Sequence, residues 1–225
     1  VTKNNAIIVK QFLIFLLLAA LTGLISSFVL IDVLWLESGV REISLTEISQ
    51  ELFLLITAAL YLRCAIKREE IRGGLLLIAG FYATLFIREL DYWFDFIQHG
   101  AWLWFALSAT GLALFAAWKA RDSVARGLAT FILHPGFAYT LCGLVTVLIF
   151  SRVFGMTMLW ETLLNDGYAN IVKTSIEEGT ELLGYTLCLF SACYFSLAPQ
   201  PAAVAEQHFV AGVISGRQKE SYHWK

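Results

Sequence analysis

Charge is scarce in this chain. Asp, Glu, Lys and Arg make up only 15% of its 225 residues, against about 25% in ordinary globular domains. Hydrophobic residues reach 58% and the mean hydropathy is +0.69, so a soluble single-domain reading fails. Three prolines and 16 glycines are too few for a Pro-rich, collagenous or Gly/Ser linker segment. A net charge of −2 excludes a nucleic-acid binder held by bulk positive charge. The four cysteines have no Cys-x-x-Cys spacing and fall in apolar runs, which makes them packing residues rather than a disulfide framework or a metal knuckle. The sequence also lacks a Gly-x-Ser-x-Gly elbow, a phosphate loop, a dinucleotide glycine motif and a His-Glu-x-x-His pair, so no residue is assigned as catalytic.

What it does contain is apolar runs of about the 20 residues needed to cross hydrocarbon. Six spans are expected, at about 7–33, 44–66, 73–97, 101–118, 135–154 and 170–195. The first follows Lys3 and Lys10 and is too long for a signal-peptide core, so it reads as a retained anchor. Ser44 with Glu47 three residues on has capping-box spacing and opens the second. Gln98, His99 and Gly100 form a tight hairpin between the third and fourth, and Pro135 suits the first turn of the fifth. Residues 128–133 read as interfacial, 155–169 as a connection holding one short surface helix, and 199–225 as a polar cytoplasmic tail after Pro199 and Pro201. The expected fold is therefore all-α: a polytopic six-helix bundle.

Lys and Arg fix its orientation, since cytoplasmic loops collect positive charge. Twelve of the 16 fall at one end of the spans, among them Lys3, Lys10, Arg63, Lys67, Arg68, Arg72, Lys119, Arg121 and Arg126; only Arg41, Arg88, Arg152 and Lys173 fall at the other. Thirteen of the 18 carboxylates lie toward that second end, with Trp35, Trp93, Trp102, Trp104 and Trp160 as an interfacial belt. Both termini are expected in the cytoplasm and the chain in a bacterial inner membrane.

The informative charges are those inside the spans. At about 1.5 Å per residue, Glu51, Arg88, Glu89, Glu178 and Glu181 come to one depth from three helices and form a deep layer. Glu47, Asp91, Asp95, Arg152 and Glu177 form an outer layer around them. Five such groups facing lipid would cost on the order of 10–17 kcal/mol, more than a typical fold's margin, so they must face one another or water. Arg88 is the expected internal counter-ion.

Three functions suit such a constellation. The first is an outward-opening site that binds or passes a cation, metal or cationic solute, with carboxylates supplying oxygen ligands or exchanging protons. The second is a membrane-embedded metal-dependent enzyme acting on a lipid-like substrate, with Asp91, Asp95 and His99 as ligands to a divalent metal; Asp95 and His99 have i,i+4 spacing. The third is an accessory or structural subunit, monomeric or oligomeric, whose buried ion pairs only fix helix packing. The loop histidine His134 caps the fifth span, and His208 and His223 have no role assigned. Gly179, Thr180 and Gly184 permit close helix approach in the sixth span. The partners expected are the lipid bilayer and a small cation or lipid-like ligand, with no nucleic acid.

Overall fold

In the computed structural model the described residues are 3–36, 43–165 and 170–198. The helical bundle is the compact unit Val1–Phe195. The expected polar tail, with His208 and His223, lies outside the described residues. The described residues hold helices and turns and no strand. In order the helices are α1 (Lys3–Leu34), α2 (Leu45–Lys67), α3 (Arg72–Glu89), α4 (Asp91–Asp95), α5 (Trp102–Lys119), α6 (Val124–Leu133), α7 (Phe137–Val145), α8 (Ser151–Phe154), α9 (Thr157–Leu164) and α10 (Asn170–Leu197).

Among the described residues, five helical segments are long and apolar enough to span a membrane: Asn4–Leu34, Leu45–Lys67, Glu69–Glu89, Phe137–Phe154 and Asn170–Leu197. A sixth is reached if α5 and α6 count as one span, but they meet at 86°. At 18 residues, α5 is about 27 Å long by helical rise, close to the hydrocarbon thickness of about 30 Å. The bend leaves α6 turned away from the direction of α5. The short helix expected within 155–169 is α9.

Two local signals behave as their chemistry requires. Ser44 caps α2, its hydroxyl accepting from Glu47 N–H at 3.1 Å. His134 caps the turn into α7, its Nδ1 accepting from Gly136 N–H at 2.9 Å. The third span, in contrast, is shorter than expected. It ends at Glu89, where Leu90 (φ −87°, ψ 16°) breaks the helix, and residues 91–101 form α4 and a turn closed by Gly100 at φ +78°.

The core is a seam shared by α2, α3 and α10. Each helix offers apolar and polar residues at alternating spacings of three and four, which keeps one stripe facing a partner. On α2 the stripe is Gln50, Leu54, Thr57, Tyr61 and Cys64; on α3 it is Leu75, Ile78, Tyr82, Leu85 and Glu89; on α10 it is Glu181, Tyr185, Cys188, Ala192 and Phe195. Tyr61 sits at their meeting point, stacked on Tyr82 at 5.8 Å and tilted against Phe195 at 5.9 Å. By contrast α1 is apolar on every side, and only 6% of its most apolar window is buried in the protein, as suits a helix facing lipid.

Glycines set two close crossings. Gly143 on α7 and Gly184 on α10 face each other, and a Cβ at Gly143 would come within 2.6 Å of the Gly184 carbonyl oxygen. At the basic end, Gly74 opens α3 against Gly127 of α6, where a Cβ at Gly74 would come within 2.5 Å of Leu128 N. Both sides of that second contact are backbone, which cannot rotate away. Gly127→Ala should therefore destabilise the bundle by about 1–3 kcal/mol, read as a lower melting temperature in detergent; an unchanged midpoint would show that α6 is free to lift.

Candidate functional site

A cluster of ionisable and hydroxyl side chains lies at the acidic end of the seam. Glu181 is its centre, 2% exposed on α10. The Arg152 guanidinium pairs with Glu181 Oε1, which also accepts from Ser151 Oγ at 3.1 Å, and Arg88 stands 3.8 Å from Glu181 Oε2. Glu89 pairs with its neighbour Arg88, and its Oε1 accepts from the Tyr185 hydroxyl at 2.7 Å. Arg88 also donates to the Tyr185 oxygen at 3.2 Å, so Tyr185 ties the two residues of α3 to α10.

The ring of charge continues along α10. Glu177 lies 3.5 Å from Arg152 and 3.9 Å from Lys173. Glu178 accepts from the Gln50 amide at 3.1 Å, and the same amide donates to the Glu178 backbone carbonyl at 2.9 Å. Glu51 stands at the α2–α3 side with Trp93 and Glu89 beside it. Of the expected deep layer, Arg88, Glu89 and Glu181 are in contact, while Glu178 is held by Gln50 and Glu51 stands beside Glu89. They and their partners amount to five carboxylates (Glu51, Glu89, Glu177, Glu178, Glu181) and three cations (Arg88, Arg152, Lys173).

Backbone irregularity aims Arg152. Residues Thr146–Phe150 form a π-turn between α7 and α8. One extra residue in a helix advances every later side chain by about 100° around the axis, and here it delivers Ser151 and Arg152 to Glu181. The Gly143–Gly184 crossing brings the two helices close enough for that contact. Gly155, just past α8, leaves space that the Glu177 carboxylate fills.

The outer layer divides. Arg152 belongs with the deep residues, in contact with Glu181 as well as Glu177. Glu47 remains on the first turn of α2. Asp91 and Asp95 are exposed on α4, beyond the helix break at Leu90, so they do not continue the stripe that starts at Arg88. Asp95 instead locks its own turn, accepting from His99 Nδ1 at 2.8 Å and from Gly100 N–H at 2.9 Å. Those contacts hold its carboxyl below the usual carboxylate range. The Asp91 carboxylate accepts from Tyr92 N–H at 2.7 Å. Among the described residues no three His, Cys, Asp or Glu come together as a metal-ligand group, and Asp91, Asp95 and His99 make none. Of the three residues expected as metal ligands, Asp95 and His99 close a turn together.

Ser151 and Tyr185 were absent from the sequence-derived site. Tyr185 lies one turn from Glu181 on the same stripe of α10, a signal visible in the spacing. Ser151 depends on the π-turn and carried no such signal.

On its other side α10 lines a mainly apolar groove of about 380 Å³ against α1, between Ser26, Val29, Ser175 and Gly179. Comparison with models of known protein families, with curated proteins and with solved structures finds no match to this chain.

Proposed function

We propose that the protein is an integral membrane protein of a bacterial inner membrane, and that the cluster around Glu181 is an outward-opening site which binds or passes a cation or a cationic solute. The observation that carries this reading is the imbalance of charge: among the described residues, five carboxylates face three cations drawn from α2, α3, α8 and α10. In a low-dielectric bundle such an excess is relieved by protonation or by another positive charge. Arg88, Arg152 and Lys173 set the charge of the site, and Glu177, Glu178 and Glu51 are the carboxylates with coordination to spare. The orientation we propose, with six spans and both termini in the cytoplasm, is supported by the positive-inside rule, since the sequence assigns twelve of its 16 Lys and Arg to one side of the spans.

The test is thermal unfolding of the purified protein in detergent with Na⁺, K⁺, Mg²⁺, Ca²⁺ or guanidinium at constant ionic strength. A bound cation at 100 times its Kd adds about 2.7 kcal/mol, a rise of about 5–10 °C for a chain of this size. At least one cation should give that rise, and Glu181→Gln should abolish it. A rise from none of them would overturn the reading. A structural role is the competing interpretation, favoured by the enclosure of Glu181 between Arg152, Ser151 and Arg88. It requires Glu181→Gln to lower the melting temperature in a protein that no cation stabilises.

A further inference from the structure

The seam below the charged cluster holds polar groups that packing alone does not explain. Among the described residues, four buried side-chain atoms have no hydrogen-bond partner: Gln50 Oε1, Thr57 Oγ1, Tyr61 Oη and Tyr82 Oη. Each of these residues is at most 1% exposed, and all four lie on the α2 and α3 stripes. Thr57 is unlike its neighbours. Thr84, Thr110, Thr180 and Thr186 each satisfy their hydroxyl on the carbonyl four residues back, the usual recourse in a membrane helix; Thr57 does not. Buried hydroxyls without partners are costly in a protein interior and are commonly satisfied by ordered water.

These groups are arranged in sequence through the bundle. The Tyr82 hydroxyl faces Cys188 and Thr140, and the Tyr61 hydroxyl faces Ser191 and Thr140, without direct hydrogen bonds. Thr140 donates to Ser191 at 2.7 Å, and Ser191 donates to the Gly136 carbonyl at 2.7 Å. Gly136 N–H is bonded in turn to His134, which has Arg68 and Lys10 nearby at the basic end. Toward the acidic end, Thr57 stands one turn from Tyr61, and Tyr185 joins the seam to Glu89 and Arg88. Glu181 to Ser191 is ten residues of one helix, about 15 Å, or half the hydrocarbon thickness of about 30 Å.

We propose that this seam is a proton pathway: water bridges the unpartnered hydroxyls of Thr57, Tyr82 and Tyr61 to Thr140 and Ser191, connecting the Glu181 site to His134 at the basic end. This rests on the reading of the outer cluster as a cation site and names the cation that leaves it inward as a proton. Each hydroxyl or water accepts a proton from the side of the site and releases its own toward the basic end; the last transfer runs through water from the Ser191 hydroxyl to the His134 ring, which flank the same Gly136 Cα, because the Gly136 carbonyl and N–H belong to different peptide groups and relay no proton. One proton enters and one leaves, and no electron is transferred.

The full chain, reconstituted in liposomes carrying an internal pH dye, tests this under a K⁺/valinomycin potential that is negative inside. Internal acidification should exceed that of protein-free liposomes by tenfold or more. Tyr61→Phe/Tyr82→Phe should cut the protein-dependent rate at least tenfold while keeping the cation-induced rise in melting temperature. Thr57→Val, which removes the hydroxyl at nearly constant shape, should also slow it and serves if the double variant does not fold. Wild-type flux at the protein-free level, or equal flux in wild type and a folded hydroxyl-deleted variant, overturns the pathway. In either case a retained cation-induced rise leaves the outer site standing. Absence of that rise in the wild type strikes the site reading separately.

Discussion

Arg88→Met will destabilise the bundle by about 3 kcal/mol, and adding Glu89→Gln will return a large part of the loss. The expectation follows from what Arg88 leaves behind. Glu89, with 12% of its side chain exposed, loses its guanidinium and keeps only the Tyr185 hydroxyl; Glu181, 3% exposed at the side chain, loses the more distant of its two cations. A buried carboxylate without a counter-charge costs more than the pair contributed when intact, because desolvation has already been incurred. Neutralising Glu89 removes that cost, so the two changes should be strongly non-additive in a double-mutant cycle measured by thermal unfolding. The same substitution bears on function. With Arg88 gone, five carboxylates face two cations, and the cation that stabilises the wild type should bind more tightly and raise the melting temperature further at equal concentration. Additive losses in the cycle would mean that Arg88 and Glu89 are solvated independently, and the enclosed site would have to be given up.

Much of this arrangement was legible before the fold was known, for a physical reason. Charge inside an apolar helix has few places to go, so depth and helical phase are enough to gather Glu51, Arg88, Glu89, Glu178 and Glu181. Ser44 and His134 were legible because capping is local chemistry. Helical phase misleads where a helix does not continue. Extending α3 past Leu90 put Asp91, Asp95 and His99 on the wrong stripe, and hydropathy gave no warning because Tyr92, Trp93, Phe94 and Phe96 look as apolar as the helix before them. The π-turn at Thr146–Phe150 escaped notice for the opposite reason: it inserts a residue without changing composition, yet it moves Arg152 from the outer layer onto Glu181. The hydroxyl seam has no sequence signal either: nothing in the spacing sets Tyr61, Tyr82 and Thr57 apart from other span residues, and only their lack of partners marks them.

Asp32→Leu should release α1 from the bundle, at a cost of about 5 kcal/mol or more. Counted by sequence as one more carboxylate of the acidic end, Asp32 is completely buried near the end of α1. Its Oδ1 accepts from Leu45 N–H at 2.9 Å, and its Oδ2 accepts from Thr46 N–H at 2.8 Å and from the Thr46 hydroxyl at 2.6 Å. An anion held by the N-terminus of α2 is favoured by both the unpaired backbone donors and the helix dipole. Because so little of α1 is otherwise buried, this carboxylate is its principal polar anchor, helped at the far end by Lys10 lying over the Tyr194 ring at 5.3 Å. Leucine fills similar volume but leaves three donors unsatisfied, each bond to a charged acceptor being worth about 1.5–3 kcal/mol. Asp32→Asn, which retains one acceptor, should lose less. A cysteine pair at Val29 and Gly179, which face each other across the groove between α1 and α10, reports the docking. Its oxidative crosslink should form readily with Asp32 present and slow several-fold with Asp32→Leu. If the crosslink forms at the same rate in both, α1 is held by lipid and apolar contact alone, and Asp32 only caps α2.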